Sequence, residues 1–120
     1  MKKFGAQNMV TKMKKVLMKK PQKLMSKANL DKWNYGKPLS QKKIDSNYEQ
    51  FRKIIIKENI EINELDIENE KNELYDSIFT HDPSLVLNDG ALILNMGKKL
   101  RKDEIDKHEK FYQSKDIPII

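Results

Sequence analysis

Residues 75–104 read YDSIFTHDPSLVLNDGALILNMGKKLRKDE, and the architecture follows from their centre. SLVL and ALIL are two apolar runs joined by Asn88-Asp89-Gly90. An Asp-Gly pair between β-rich runs predicts a hairpin over residues 84–95, because glycine reaches positive φ without a Cβ clash. Both runs are apolar on consecutive residues, which predicts burial on two faces. Asp76 and Asp82 flank Phe79 just before the hairpin, and Arg101 and Glu104 follow it. A hairpin returns the chain to its starting end, so these groups are expected to meet there.

Working outward, Ile105, His108, Phe111 and Tyr112 recur at helical spacing and predict a helix over 102–114. Asp103, Glu104 and Asp106 in its first turns suit the positive end of the helix dipole. Residues 117–120, IPII, predict a further strand, and a chain stopping inside such a run looks cut. Toward the N-terminus, residues 60–67 alternate as a strand, with a slip at Leu65 and Ile67 that signals a bulge or an early end. Residues 40–59 predict a helix capped by Ser40, with Ile44, Tyr48, Phe51 and Ile55 on a core face flanked by Ile54 and Ile56. Residues 21–40 have no clear period and read as a long loop bearing Leu30, Trp33 and Tyr35. Residues 10–18 predict a first strand ending at Pro21. The order is β, loop, α, β, loop, β-hairpin, α, β, an α/β (α+β) chain with mixed sheet. Residues 1–11 are expected as a basic tail before a domain over 12–120, and Met9 is a second candidate start.

The 120 residues suffice for one domain with a modest core. Residues 1–43 hold thirteen Lys against one acid, Asp31, and residues 44–120 hold eleven Lys and Arg against seventeen Asp and Glu. The front half is thus +12 and the rest −6, for a net charge of +6. A basic front invites a nucleic-acid or membrane reading. Aromatic residues are not interleaved with the lysines as base stacking requires, so nucleic acid is not the expected partner. No apolar run approaches the ~18 residues of a membrane span, and the N-terminus lacks an apolar signal core; a cytoplasmic chain is expected. The absence of cysteine excludes disulfides and thiolate metal sites. No metal site and no cofactor is expected, and the oligomeric state is open.

Paired carboxylates suit a planar cation, each oxygen accepting an N–H from its fork, and Arg101 suits a carboxylate at the ligand's other end. An amino acid with a guanidinium side chain has both features. Spacing alone leaves alternatives: Asp82 before Pro83 as a turn former, Arg101 and Glu104 as a surface helix pair, or two carboxylates for glycosidase-type acid–base work.

The segment resembles the dimethylargininase and amidinotransferase family, which has the five-bladed pentein propeller fold. The family pattern is Asp, two residues, Phe, two residues, Asp, an apolar hairpin, then Arg and Glu three apart. Here it reads Asp76-Ser77-Ile78-Phe79-Thr80-His81-Asp82, then Arg101 and Glu104. The stretch MGKKLRKDE, the VLM strand, the loop bearing Trp33 and IPII extend the likeness over about residues 14–120. The resemblance implies a partial propeller of ββαβ modules: the first module and the start of the next. It implies chemistry at the guanidinium carbon of arginine or N-methylated arginine, by cysteine attack with a histidine as acid and base. Asp82 would clamp the guanidinium nitrogens, and Asp76 would help bind the amino-acid end. Phe79 would pack along the substrate and Arg101 would pair with its carboxylate, with Glu104 in support. The loop with Leu30, Trp33 and Tyr35 would serve as a lid, and Leu30 would touch substrate.

The family's cysteine and histidine belong to positions beyond residue 120, so no catalytic residue is expected here; His81 and His108 are read as bystanders. Three readings compete: a fragment of a guanidine hydrolase (or of an amidinotransferase or arginine deiminase), a non-catalytic module for an arginine-like ligand, and a basic nucleic-acid binder.

Overall fold

The structure of the chain, a computed structural model, describes residues 4–67 and 73–120. Its elements in order are β1 (Lys15–Met18), a 3₁₀ turn (Met25–Lys27), α1 (Leu30–Trp33), α2 (Gln41–Lys57), β2 (Glu61–Glu64), a 3₁₀ turn (Tyr75–Ile78), β3 (Ser84–Val86), β4 (Ala91–Ile93), a 3₁₀ turn (Lys99–Arg101) and α3 (Glu104–Ser114). β1 and β2 pair in parallel, Val16 opposite Ile62, with α2 as the crossover. β3 and β4 pair antiparallel, Leu85 opposite Leu92. Ile119 adds one parallel bridge to Ala91 on the far side of β4. The α/β class and the mixed pairing are those expected from the sequence.

The first strand is shorter than expected. Residues 10–14 lie outside it, because parallel pairing begins only at Lys15, opposite Glu61; Val10 and Met13 stand exposed. The long loop carries local structure of its own. The Asn29 side chain accepts from the Lys32 amide at 2.9 Å, and Asn34 adopts a left-handed conformation that closes α1 after one turn. This turns Trp33 inward, where it is 1% exposed and packs with Met25, Ala28 and Tyr75.

The expected helix forms with Ser40 as its cap, the hydroxyl accepting from the Lys43 amide at 3.4 Å. Its expected core face is a correction: no residue of α2 is buried. Ile44 reaches the Trp33 cluster, but Phe51 and Ile54 are 53% and 60% exposed. Helical period makes an apolar stripe; burying it needs a partner surface, and among the described residues β2 meets only part of it.

β2 ends early, as the slip at Leu65 signalled. Leu65 still donates to the Met18 carbonyl at 2.7 Å, then turns with Ile67 into a second core with Leu74, Leu17 and Phe111. The hairpin forms around residues 87–90, where the Leu87 amide donates to the Gly90 carbonyl at 2.8 Å. Glycine is required at 90 by close approach, since a Cβ there would lie 2.4 Å from the Pro118 carbonyl oxygen. Two-face burial of the hairpin is corrected: Ala91 is buried, while Leu85 and Leu94 are exposed. Its outer strand borders the N-terminal segment, where the Ala6 amide donates to the Val86 carbonyl at 3.1 Å and the Gln7 and Asn88 amides pair. α3 begins at Glu104 rather than at 102, because the preceding residues wind as a 3₁₀ turn. The IPII strand is reduced to the bridge at Ile119.

Candidate functional site

Two of the 3₁₀ turns face each other across the open end of the hairpin, and their spacing builds the site. In a 3₁₀ turn, side chains three apart eclipse. Asp76 and Phe79 are three apart on the first turn, where the Phe79 amide donates to the Asp76 carbonyl at 3.0 Å. Lys98, the extended residue that caps the second, is three before Arg101, whose amide donates to the Lys98 carbonyl at 2.9 Å. Two rungs join the turns. The Lys98 ammonium lies 2.7 Å from the Asp76 carboxylate, and the Arg101 guanidinium donates to the Phe79 carbonyl at 3.2 Å. The hairpin sets this register, the Leu94 amide donating to the Pro83 carbonyl at 2.9 Å.

Arg101 is the centre of the lower rung. Its Nε and Nη2 donate to the two oxygens of Glu104, each at 2.8 Å, in a side-on fork. Its Nη1 donates to Asp82 at 2.6 Å, and its guanidinium carbon lies 6.0 Å from the Phe79 ring centre. The Arg101 side chain is 9% exposed and that of Glu104 0%, whereas Asp82 retains 34%. Burial would lower the Arg101 pKa, but the bonds from Glu104 and Asp82 outweigh it and push it up. Burial raises the Glu104 carboxyl above its ordinary value, against the pull of Arg101. The second Asp82 oxygen lies 2.9 Å from Nε2 of His81, an exposed side chain.

The upper rung is a cage. The Asp76 carboxylate accepts from the Tyr35 hydroxyl at 2.6 Å and from Lys98 at 2.7 Å. Lys98 also donates to the Trp33 carbonyl at 2.6 Å, and its ammonium lies 4.8 Å from the Trp33 ring and 5.6 Å from the Tyr35 ring. Burial and the Asp76 bond push the Tyr35 phenol up. α1 positions both aromatics: its left-handed cap at Asn34 brings the Tyr35 amide back to the Leu30 carbonyl at 2.9 Å.

Asp76, Phe79, Asp82, Arg101 and Glu104 are therefore brought together at one end of the hairpin. Arg101, expected to face a ligand carboxylate, is engaged by protein oxygens at all three nitrogens. Of the residues expected as a lid, Trp33 is a core residue beneath the cage, Tyr35 is part of the cage and half-buried, and Leu30 opens α1. A cleft of about 300 Å³ borders Trp33 on its other side, between Lys32, Glu73, Lys99 and Asp103. Sequence reading missed Lys98, although its spacing of three from Arg101 mirrors that of Asp76 from Phe79. It also missed what holds His108. This histidine is fully buried, its Nδ1 3.0 Å from the Ser84 hydroxyl, which lies 2.6 Å from the Tyr112 hydroxyl. Burial, then the Arg101 charge, lowers the His108 pKa to about 4. Among the described residues no group of three or more His, Asp or Glu is placed to hold a metal ion, and no helix is long and apolar enough to cross a membrane.

No protein-family model and no curated protein matches the sequence. Solved structures do. A dimethylarginine dimethylaminohydrolase adduct with 4-chloro-2-hydroxymethylpyridine is similar with a TM-score of 0.70 and 19% identity, over 91% of this chain and 41% of that one. A histidine-to-glycine variant of dimethylarginine dimethylaminohydrolase, as its adduct with S-methyl-L-thiocitrulline, gives 0.71 and 18% over 90% and 41%. A cysteine-to-alanine variant of AgrE bound to L-arginine gives 0.74 and 18% over 92% and 16%. The chain thus carries part of a pentein fold. It spans 41% of the dimethylarginine dimethylaminohydrolase chains, and at this identity the likeness is one of fold.

Proposed function

We propose that these residues form the ligand-binding portion of a cysteine-dependent hydrolase acting on the guanidinium carbon of arginine or N-methylated arginine, within a five-bladed propeller. Amidino transfer and arginine deimination make the same demand on them. The observation that carries the reading is Asp82: a part-exposed carboxylate beside the exposed Phe79 ring, already accepting a guanidinium N–H from Arg101 at 2.6 Å. A ligand guanidinium presents the same donors and the same flat face, with Phe79 packing along its stem. In this assignment the amino-acid end falls to Asp76 and Arg101. The 120 residues contain no cysteine, so in this reading they bind and orient while the nucleophile comes from elsewhere in the enzyme.

Titration of the ¹⁵N-labelled chain with L-arginine and with N-methylated arginine tests this. Amide shifts are expected to saturate around Phe79, Asp82 and Arg101, and to vanish in Asp82→Asn with the fold retained. A parent chain whose amides in this region ignore both ligands at millimolar concentration defeats the reading.

A further inference from the structure

A carboxylate, a backbone carbonyl and two aromatic faces converge on one point, and that combination recognises an ammonium group. In this chain the point is filled from within by Lys98. Asp76 has one oxygen on the Tyr35 hydroxyl at 2.6 Å and the other on the Lys98 ammonium at 2.7 Å. The Trp33 carbonyl takes a second Lys98 proton at 2.6 Å. The Asp76 side chain is 10% exposed and the Lys98 side chain 26%, so the open side of this pair is the cation. An ammonium carries three protons; two are used by Asp76 and Trp33, and the third has no hydrogen-bond acceptor among the described residues.

We propose that Lys98 is a specificity-determining residue that makes this site select guanidino carboxylic acids lacking a free α-ammonium. This rests on the reading of the site as one for a guanidinium-bearing ligand, and narrows that ligand from arginine itself to its desamino analogues. An incoming α-ammonium must either expel Lys98 from a largely buried carboxylate or lie against a like charge, and either is costly. A ligand carboxylate meets the opposite situation. It accepts the remaining Lys98 proton, while Arg101 stays locked between Asp82 and Glu104. Lys98 therefore turns a subsite for an ammonium into one for a carboxylate, and the guanidinium end is left to Asp82 and Phe79.

The test compares desamino-arginine with L-arginine on the full chain by NMR titration. Desamino-arginine is expected to bind at least about tenfold more tightly, the scale of a like-charge contact. Lys98→Met is expected to abolish that preference, and Lys98→Arg to keep it. L-Arginine binding as tightly as desamino-arginine in the parent chain overturns the proposal, and needs no variant to fold. An unchanged preference in a Lys98→Met chain of native circular dichroism also overturns it. Binding of neither compound instead removes the arginine-type reading of the site, and the role of Lys98 with it.

Discussion

The two halves of the molecule are held in different ways. Around the hairpin and α3, polar groups are buried and most are paired: Arg101 with Glu104 and Asp82, Asp76 with Lys98 and Tyr35, His108 through Nδ1 with Ser84. Around α2, the apolar stripe is well formed but buries no residue, and ion pairs such as Arg52–Glu64 lie at the surface. Strong patterning on α2 therefore coexists with little burial, and a polar stretch near α3 with much. Buried charge pairs are costly to break and surface ones contribute little, so the halves should respond very differently to substitution.

The largest expected effect is at Glu104. Glu104→Ala leaves a buried guanidinium with only Asp82 and the Phe79 carbonyl and should cost about 3–5 kcal/mol in urea unfolding, a large part of any domain's stability. A cost under about 1 kcal/mol would erase the contrast between the halves.

A pH effect comes next. His108 is held neutral in the fold with its pKa near 4, against an ordinary value of 6.5. Between those values the unfolded chain takes up a proton that the folded chain refuses, so stability should fall as pH drops from 6.5 toward 4. At 1.36 kcal/mol per unit the loss is about 3 kcal/mol. Urea midpoints at several pH values, compared with His108→Gln, would measure it; parent and variant falling in parallel would remove His108 as the cause.

On the α2 side the effects shrink. Ser40→Ala should cost about 0.5 kcal/mol, the low end for a cap, because its bond to the Lys43 amide is long. Ile54→Ser should change stability by less than about 0.5 kcal/mol in thermal unfolding. A loss of about 2 kcal/mol there would mean that the exposed face is covered in solution and would sharpen the comparison instead.

Local signals located the elements well. Asp89-Gly90 announced the hairpin, Ser40 the start of α2, and the slip at Leu65 the end of β2. Length and burial were less legible. Val10 and Phe51 have residue types and spacing suited to a core, yet residue type carries no information on whether a facing surface exists. The convergence of Asp76, Phe79, Asp82, Arg101 and Glu104 at one end of the hairpin was legible. Their bonding was not, because an Arg three residues from a Glu is equally consistent with a surface pair, and only the depth of the turn makes it a buried fork. Lys98 left one trace, its spacing of three from Arg101, and no local rule marks such a lysine as the occupant of a cage formed by residues at 33, 35 and 76.

The sequence by itself determined the α/β order, the turn chemistry at Asn29, Ser40 and Gly90, and the spacing that places Asp76 with Phe79 and Lys98 with Arg101. These are matters of backbone sterics and short-range hydrogen bonding, settled within a few residues. The tertiary structure alone decided which charges pair, which apolar stripe stays open, and that Lys98 sits on Asp76. Those outcomes depend on groups distant in sequence arriving at one point with little water between them, where burial and Coulomb attraction together choose the partner.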